Sequence, residues 1–300
     1  MKFKKISVDI WKKLKKNFSI FKLFVGVILI LYMITLISLF VYAIYTSFKD
    51  LFAFVDDPVG LPTEWHWENY GLIFKYFFVQ SGPKEPKYYM EDMFLFSFLY
   101  AGGCALAITF ATTLMAYACA LFPCKLSNVI YAIVIFAIIF PIVGSLPSEM
   151  RIAREIGLYN NFPGNWFMKF SFTNMYFLVI YEAFRGVPKD YKEAAEIDGA
   201  SMWTIMVSIM FRMVMNIVGT VFIVQFVSLW NDYTAPLVYM PKYPTMALGL
   251  MSFSYNTSGP IAGEPYKLGA AVIVFIPLFI VFLLFQRKLM GELSAGGIKG

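Results

Sequence analysis

The feature that most constrains this chain is a series of long apolar runs separated by charged segments. Six runs are candidate membrane spans, at residues 23–48, 93–122, about 129–147, about 167–186, 213–231 and 268–286. A helix needs roughly 20 apolar residues to cross the hydrocarbon core of a bilayer, and it satisfies its own backbone hydrogen bonds. We therefore predict an all-α, polytopic membrane protein with six transmembrane helices.

The composition excludes a soluble domain. Only 15% of the residues are charged, against about 25% in a soluble protein. The excess of Lys and Arg, a net charge of +6, lies mostly in loops and tails. Nucleic-acid binding requires a basic face on a folded soluble module, so we expect no nucleic-acid partner.

The residues needed for catalysis or metal binding are sparse. His66 is the only histidine, and the cysteines Cys104, Cys119 and Cys124 form no Cys-x-x-Cys pair. We interpret the histidine as a surface residue and the cysteines as thiols within or just after one span. The sequence has no Gly-x-x-x-x-Gly-Lys-Ser/Thr motif for nucleotide phosphates. We expect no catalytic residues, no metal and no cofactor, and the chain must take its energy from partners.

The distribution of charge predicts the topology and the organisation of the chain. Residues 1–22 contain eight lysines, with apolar residues near helical spacing, and are expected to form a basic amphipathic helix on the cytoplasmic membrane surface. Counting Lys and Arg in short loops places both termini in the cytoplasm. We expect residues 23–91 to form the first transmembrane helix and an outer loop, 92–286 the core with five helices, and 287–300 a cytoplasmic tail.

A charged segment at residues 186–212 interrupts the apolar core. Pro188 and Gly199 bracket a predicted helix from about Lys189 to Asp198, because Pro suits the start of a helix and Gly its end. Acidic residues gather in its first turns, as a helix N-terminus prefers. A second helix is predicted to begin at Ser201 and continue into the next span.

Residues 193–199, EAAEIDG, resemble the Glu-Ala-Ala-x-x-x-Gly motif in the membrane subunits of type I ATP-binding-cassette (ABC) importers. In that family this cytoplasmic loop forms a coupling helix pair seated in a groove of the ATPase. Arg212 stands where the family usually has Pro. The resemblance implies that Glu193 is a polar anchor to the ATPase, that the two alanines permit close contact, and that Gly199 makes the turn. The implied coupling residues are Glu193, Ala194, Ala195, Asp198 and Gly199. The alternative is a solvated Ala- and Glu-rich helix that ends at Gly.

Other stretches also resemble this family. AYACALFPCK at 116–125 and IGLYNNFPG at 156–164 are similar to stretches of the family as a whole, whereas LPTEWHWENYGLIF at 61–74 and the tail FQRKLMGELSAGGIKG at 285–300 are similar to its sugar-importing branch. The tail is similar to the C-terminus of the maltose-type second permease. The resemblance implies a heterodimer with a second permease, two ATP-binding-cassette ATPase subunits, an extracellular solute-binding protein, and a location in the bacterial cytoplasmic membrane, within the lipid bilayer.

Polar and aromatic residues near the outer end of the fifth run are the candidates for a solute path. They are Gln225, Asn231, Asp232 and Tyr233. Polar groups at that depth usually face a cavity or another helix, and amide, carboxylate and aromatic groups suit sugars. Alternatively, Asn231 and Asp232 cap the helix end or hold a partner subunit. The rival functions are import of a peptide, polyamine or glycerol phosphate, and a membrane enzyme or assembly protein.

Overall fold

The structure is a computed structural model that describes residues 20–80, 82, 84–140, 144–255 and 261–295, with side chains only to residue 286 at the C-terminal end. The predicted amphipathic helix at the N-terminus lies outside the described residues, except for its last positions. The side chains of the C-terminal tail also lie outside them.

Nearly all of the regular secondary structure among the described residues is helical, which confirms the all-α prediction. The helices are α1 (Ile20–Thr46), α2 (Leu51–Asp56), α3 (Glu68–Tyr76), α4 (Met90–Leu121), α5 (Lys125–Ile139), α6 (Leu146–Glu155), α7 (Phe162–Met168), α8 (Met175–Arg185), α9 (Asp190–Ile197), α10 (Met202–Thr204), the π-helical segment π1 (Ile205–Met210), α11 (Phe211–Trp230), α12 (Thr234–Tyr239), α13 (Met246–Ser254) and α14 (Glu264–Ala295). Strands β1 (Phe78–Val79) and β2 (Tyr88–Tyr89) form an antiparallel ladder with Phe78 opposite Tyr89.

Four helical stretches within the described residues are long and apolar enough to cross a membrane. They are Phe21–Thr46, Met90–Leu121, Met202–Trp230 and Glu264–Gln286. These correspond to the first, second, fifth and sixth predicted runs. The count of six spans remains a prediction, because the third and fourth runs fold differently.

The third run does not form one continuous helix over residues 129–147, because the helix ends just before Pro141, a residue that can kink or break a helix. Helix α5 ends at Ile139, and a separate helix begins at Leu146. The residue before a proline is disfavoured in the α conformation, and Phe140, which precedes Pro141, has φ −111° and ψ 82°. Helix α5 has 15 residues, which gives a length of roughly 22 Å.

The fourth run is also divided, so a single helix over residues 167–186 was wrong. Helix α7 ends at Met168, and α8, of 11 residues, begins at Met175. The break is caused by a cap, because the side-chain oxygen of Asn174 accepts the backbone N–H of Tyr176 at 3.0 Å. Asn at this position satisfies an N–H that the helix leaves without a partner.

The described residues form two compact units, each considered by itself. One comprises the chain up to Gly71 together with Gly263–Val272, and the other comprises Leu72–Ala262 with the chain from Ile273 onward. In the second unit α4 is the central helix, packed against α7, α8, α11 and α13. Gly103 permits the close approach of α7, because a Cβ at this position would overlap the indole of Trp166. That indole N–H donates to the carbonyl of Leu99 at 3.0 Å. Gly103 is thus a position at which the absence of a side chain lets two helices come close.

Candidate coupling hairpin and candidate solute path

The hairpin at residues 186–212 begins with the short helix α9, which ends at a glycine in the left-handed conformation. Gly199 has φ +77°. Its N–H donates to the carbonyl of Glu196 at 3.1 Å, and the N–H of Ala200 donates to the carbonyl of Ala195 at 2.9 Å. This pair of bonds is the Schellman motif, which satisfies the last carbonyls of a helix and reverses the chain. The predicted helix and the predicted role of Gly199 as its end are confirmed.

The second helix of the hairpin is continuous with a membrane span, as predicted. Ser201 caps it, since its hydroxyl oxygen accepts the N–H of Thr204 at 3.2 Å. From Met202 the chain remains helical to Trp230, a stretch of 29 residues or roughly 43 Å. Arg212, at the position where the resembled family has Pro, lies exposed in this unbroken stretch.

The junction between the hairpin and the span is a π-helical segment. The N–H of Ile205 donates to the carbonyl of Ser201, the α-helical pattern, whereas the N–H of Phe211 donates to the carbonyl of Met206, one residue wider. π-Helical turns are rare and occur frequently at functional sites. Beside this segment lies an apolar cavity of about 430 Å³, lined among others by Tyr117, Phe184 and Phe211. The segment therefore has both irregular hydrogen bonding and free volume next to it.

The two alanines of the motif occupy different environments. Ala195 is 7% exposed and packs in the core cluster with Phe184, Ile205 and Met210. Ala194 is exposed, as are Glu193, Asp198 and Gly199. Of the two alanines only Ala194 is open to a partner, and the small side chain of Ala195 lets α9 pack closely on π1.

Charged side chains of α9 lie around a cavity of about 630 Å³ between α9, the C-terminal end of α8 and the end of α4. Its lining includes Arg185, Lys189, Lys192, Glu193 and Glu196. Lys192 pairs with Glu196 at 3.7 Å, and its ammonium lies 5.0 Å from the centre of the Phe122 ring. Glu193 has no ion-pair partner among the described residues. Its carboxylate is thus available to a cation from another protein.

Sequence reasoning missed the apolar side chains that the hairpin exposes. Tyr191, Ile197, Met202 and Trp203 are 51%, 85%, 53% and 70% exposed. Large apolar side chains within a charged segment are the signal that could have identified them. Exposed aromatic and aliphatic side chains are typical of a protein interface.

The candidate residues for the solute path lie at the other end of the same continuous helix. Asp232 follows α11 and uses both carboxylate oxygens internally. One accepts the hydroxyl of the fully buried Tyr100 at 2.9 Å, and the other accepts the backbone N–H groups of Thr234 and Ala235 at 2.9 and 3.1 Å. The Asp232 carboxylate therefore holds the start of α12 and not the end of α11, with an added tie to α4.

The remaining three candidates are more accessible. Asn231 and Tyr233 are exposed, and Gln225 is half-buried in α11. The amide of Asn231 donates to the carbonyl of Val227 at 2.9 Å, which leaves its oxygen open. Within the described residues no group of three metal-binding side chains comes together.

Comparison with known proteins gives a family match. Residues 112–290, more than half of the chain, match the model of the "Binding-protein-dependent transport system inner membrane component" family. The matched region contains both α9 and the residues at the end of α11.

Curated relatives extend the similarity over most of the chain. The diacetylchitobiose uptake system permease protein NgcG of Streptomyces coelicolor is 27% identical over 273 residues, covering 90% of this chain and 86% of that protein. The melibiose/raffinose/stachyose import permease protein MelC of Bacillus subtilis is 27% identical over 216 residues, covering 70% of this chain and 77% of that protein.

A solved structure shares the fold. In the crystal structure of a bacterial ABC transporter that imports the acidic polysaccharide alginate, one chain superposes with a TM-score of 0.74 at 20% identity, covering 89% of this chain and 96% of that one. A continuous helix joins the hairpin to a span, and the family match covers residues 112–290. The subunits of this family are transport components and not enzymes. This chain therefore belongs to the binding-protein-dependent transport system inner membrane components, the multi-pass permease subunits of ABC importers.

Proposed function

We propose that this chain is a permease subunit of an ATP-driven importer for a sugar or oligosaccharide. The observation that carries the proposal is the exposed hairpin at 186–212, which continues without a break into a membrane span. The choice of a carbohydrate is supported by relatives named for the import of diacetylchitobiose and of melibiose, raffinose and stachyose.

The proposed assembly contains this chain, a second and different permease, two ATPase subunits and an extracellular solute-binding protein. It lies in the cytoplasmic membrane of a bacterium, with both termini of this chain in the cytoplasm. In this arrangement residues 1–22 lie on the inner membrane surface, 23–91 form the first span and outer loop, 92–286 form the core with five spans, and 287–300 are a cytoplasmic tail. The high density of lysines in residues 1–22 supports this orientation.

The hairpin is the proposed contact with the ATPase. Ile197 and Trp203 supply exposed apolar area. Glu193 supplies a carboxylate that has no ion-pair partner in the part of the chain that the structure describes. Ala194 allows close approach, and Asp198 and Gly199 form the turn. Buried apolar anchors next to a charged pair are the usual composition of an interface hot spot. Ala195, which is buried within the chain, positions α9 on π1.

Movement of the hairpin reaches the membrane through α10, π1 and α11. ATPase closure displaces α9, and Ala195 transmits the displacement to Ile205 and Met210, with which it shares a core cluster. Because α11 is continuous with π1, the displacement tilts or rotates the span. Rigid-body motion of packed helices is a common mode of switching between two states. The apolar cavity beside π1 provides volume into which side chains move.

The solute path is proposed to pass the outer end of α11. Gln225, Asn231 and Tyr233 present amide and aromatic groups that suit sugar hydroxyls and sugar faces. Asp232 acts as a positioning residue in this proposal, because its oxygens hold Tyr100 and the start of α12.

Uptake measurements test the proposal. A strain that lacks this chain is compared with the intact strain for uptake of labelled oligosaccharides, together with a peptide, a polyamine and glycerol phosphate. The expected result is loss of uptake of one carbohydrate only. Selective loss of a non-sugar solute, or no loss for any solute, would contradict it.

A substitution tests the coupling role within the same strain. Glu193→Ala is expected to abolish uptake and weaken ATPase association while the subunit still inserts. The control is Glu182→Ala, which removes an exposed acid paired with Arg185 at 3.2 Å on α8 and is expected to retain uptake. Equal uptake by the two variants would refute the role of Glu193.

A further inference from the structure

The segment that follows the first span folds back against the end of that span. Helix α1 has 27 residues and is therefore roughly 40 Å long, compared with about 30 Å for the hydrocarbon core. Its last turns carry Tyr42 and Tyr45. The hydroxyl of Tyr42 donates to the carbonyl of Pro58 at 3.2 Å, and that of Tyr45 donates to the carbonyl of Val59 at 2.6 Å. Tyr42 lies about 6 Å before the end of the helix along its axis, so residues 58–59 lie at the depth of the last turns of α1.

The backbone of this returning segment has internal hydrogen-bond partners. The carboxylate of Asp57 accepts the N–H groups of Val59 and Gly60 at 3.2 and 2.8 Å. The backbone carbonyl of Asp57 accepts a hydrogen bond from the Lys49 ammonium at 2.6 Å. The backbone N–H of Asp57 donates to the carbonyl of Ala53. Pro58 has no N–H, and the tyrosines already satisfy the carbonyls of residues 58 and 59. The backbone groups of residues 57–59 and the N–H of Gly60 are thus paired, and this part of the segment can lie where water is scarce.

Two side chains of the segment are apolar and exposed, while the carboxylate of Asp57 is also exposed and is assigned to the water side. Val59 and Leu61 are 73% and 72% exposed. Nearby, Phe52 on α2 is 78% exposed and Trp67 is 69% exposed. Aliphatic and aromatic groups that project from a chain whose backbone is largely paired are typical of structures in the interfacial region of a bilayer, where Trp and Tyr are enriched.

We propose that residues 57–61 form an interfacial loop that inserts Val59 and Leu61 into the bilayer leaflet at the C-terminal end of α1. The partner is lipid, because the tyrosine bonds fix the loop beside a helix that spans the membrane, at the level where its own last turns meet the headgroups. Asp56 and Glu64 flank the loop and are exposed, and we assign them to the water side. The assignment of this leaflet as the outer one rests on the proposed topology; the insertion itself does not.

Spin labels test the insertion in the full transporter reconstituted in lipid nanodiscs. Val59→Cys, Leu61→Cys and, as the control, Glu64→Cys are each introduced into a chain with Ala at positions 104, 119 and 124. Collision of the label with oxygen, which is concentrated in lipid, is compared with collision with a water-soluble nickel complex. The expected ratio of oxygen to nickel accessibility is several-fold higher at 59 and 61 than at 64.

Two outcomes would overturn the proposal. Labels at 59 and 61 that collide with nickel as often as the label at 64 place the loop in water. Labels at 59 and 61 shielded from both reagents, with or without the external binding protein, place the loop in a protein interface. Uptake is measured on the same variants. Normal uptake together with a water-exposed loop refutes the insertion alone. Absence of sugar uptake by the unlabelled transporter refutes the proposed function.

Discussion

Gly199 offers the sharpest test of the hairpin geometry. It has φ +77°, and an added Cβ would have no atom within 4 Å. Substitution by Ala therefore introduces no collision, and its cost comes from the backbone alone. A side chain in the left-handed region costs about 1–2 kcal/mol, which corresponds to roughly a 5- to 30-fold change in an equilibrium constant.

We expect this cost to appear as faster local opening of the hairpin. The N–H groups of Gly199 and Ala200 donate to carbonyls of α9, so their hydrogen exchange reports the opening. In the reconstituted subunit, Gly199→Ala is expected to accelerate exchange in a peptide covering 195–202 by roughly 5- to 30-fold. Gly199→Asn is expected to give a smaller effect, because Asn adopts this conformation more readily.

Gly186 provides the matched control. It has φ −73°, and a Cβ would meet the carbonyls of Ala183 and Glu182 at 3.5 Å, an ordinary contact. Gly186→Ala should therefore leave exchange unchanged or slow it slightly. A wild-type exchange rate for Gly199→Ala, or the same acceleration for Gly186→Ala, would show that the left-handed backbone of Gly199 does not hold the hairpin closed.

Three other predictions concern side chains outside the hairpin. Tyr100→Phe removes a buried hydrogen bond to a carboxylate and, in a thermal unfolding assay, should lower the free energy of unfolding by about 1.5–3 kcal/mol. Asp232→Ala should lower it further in this assay, because two backbone N–H groups also lose their acceptor. The pKa of His66 is raised from 6.5 chiefly by its hydrogen bond to Glu68. The stability that the raised pKa contributes is therefore complete below pH 6.5 and declines as pH rises through the raised pKa. In an NMR titration, Glu68→Gln should return the pKa of His66 toward 6.5, and an unchanged pKa would contradict the assignment. The pKa of the exposed Cys124 thiol is lowered chiefly by a backbone N–H at the start of α5, so alkylation at neutral pH should modify it before the two buried cysteines, and a reversed order would exclude this geometry.

The long apolar runs predicted the first, second, fifth and sixth spans because a run of this length satisfies its backbone only as a helix in lipid. The same argument failed where a local signal competed with apolarity. Pro141 restricts Phe140, and α5 ends there. Asn174 caps a new helix start within the fourth run. Both signals are present in the sequence. Pro141 can be recognised as a possible break, whereas the average apolarity of the fourth run concealed the cap at Asn174.

The hairpin was predictable because its helix and turn depend on neighbouring residues. Pro188 and Gly199 bracket α9, and the sequence alone places both its start and its end. The separation of Ala194 from Ala195 was not predictable, since it depends on the packing of α9 against π1. The same limit applies to Asp232, whose partner Tyr100 lies 132 positions away in the chain.

The central claim is that the hairpin at 186–212 transmits ATPase movement to the spans. The test uses fully assembled transporter with a photo-crosslinking residue at one of two positions. One variant carries it at Ile197, which is 85% exposed on α9, and the other at Tyr233, which is 46% exposed near the far end of α11. We expect the crosslinker at 197 to attach to an ATPase subunit, with a yield that changes when ATP is bound. The crosslinker at 233 should never attach to an ATPase. A complex that hydrolyses ATP and imports solute while the crosslinker at 197 attaches to no ATPase subunit would contradict the central claim.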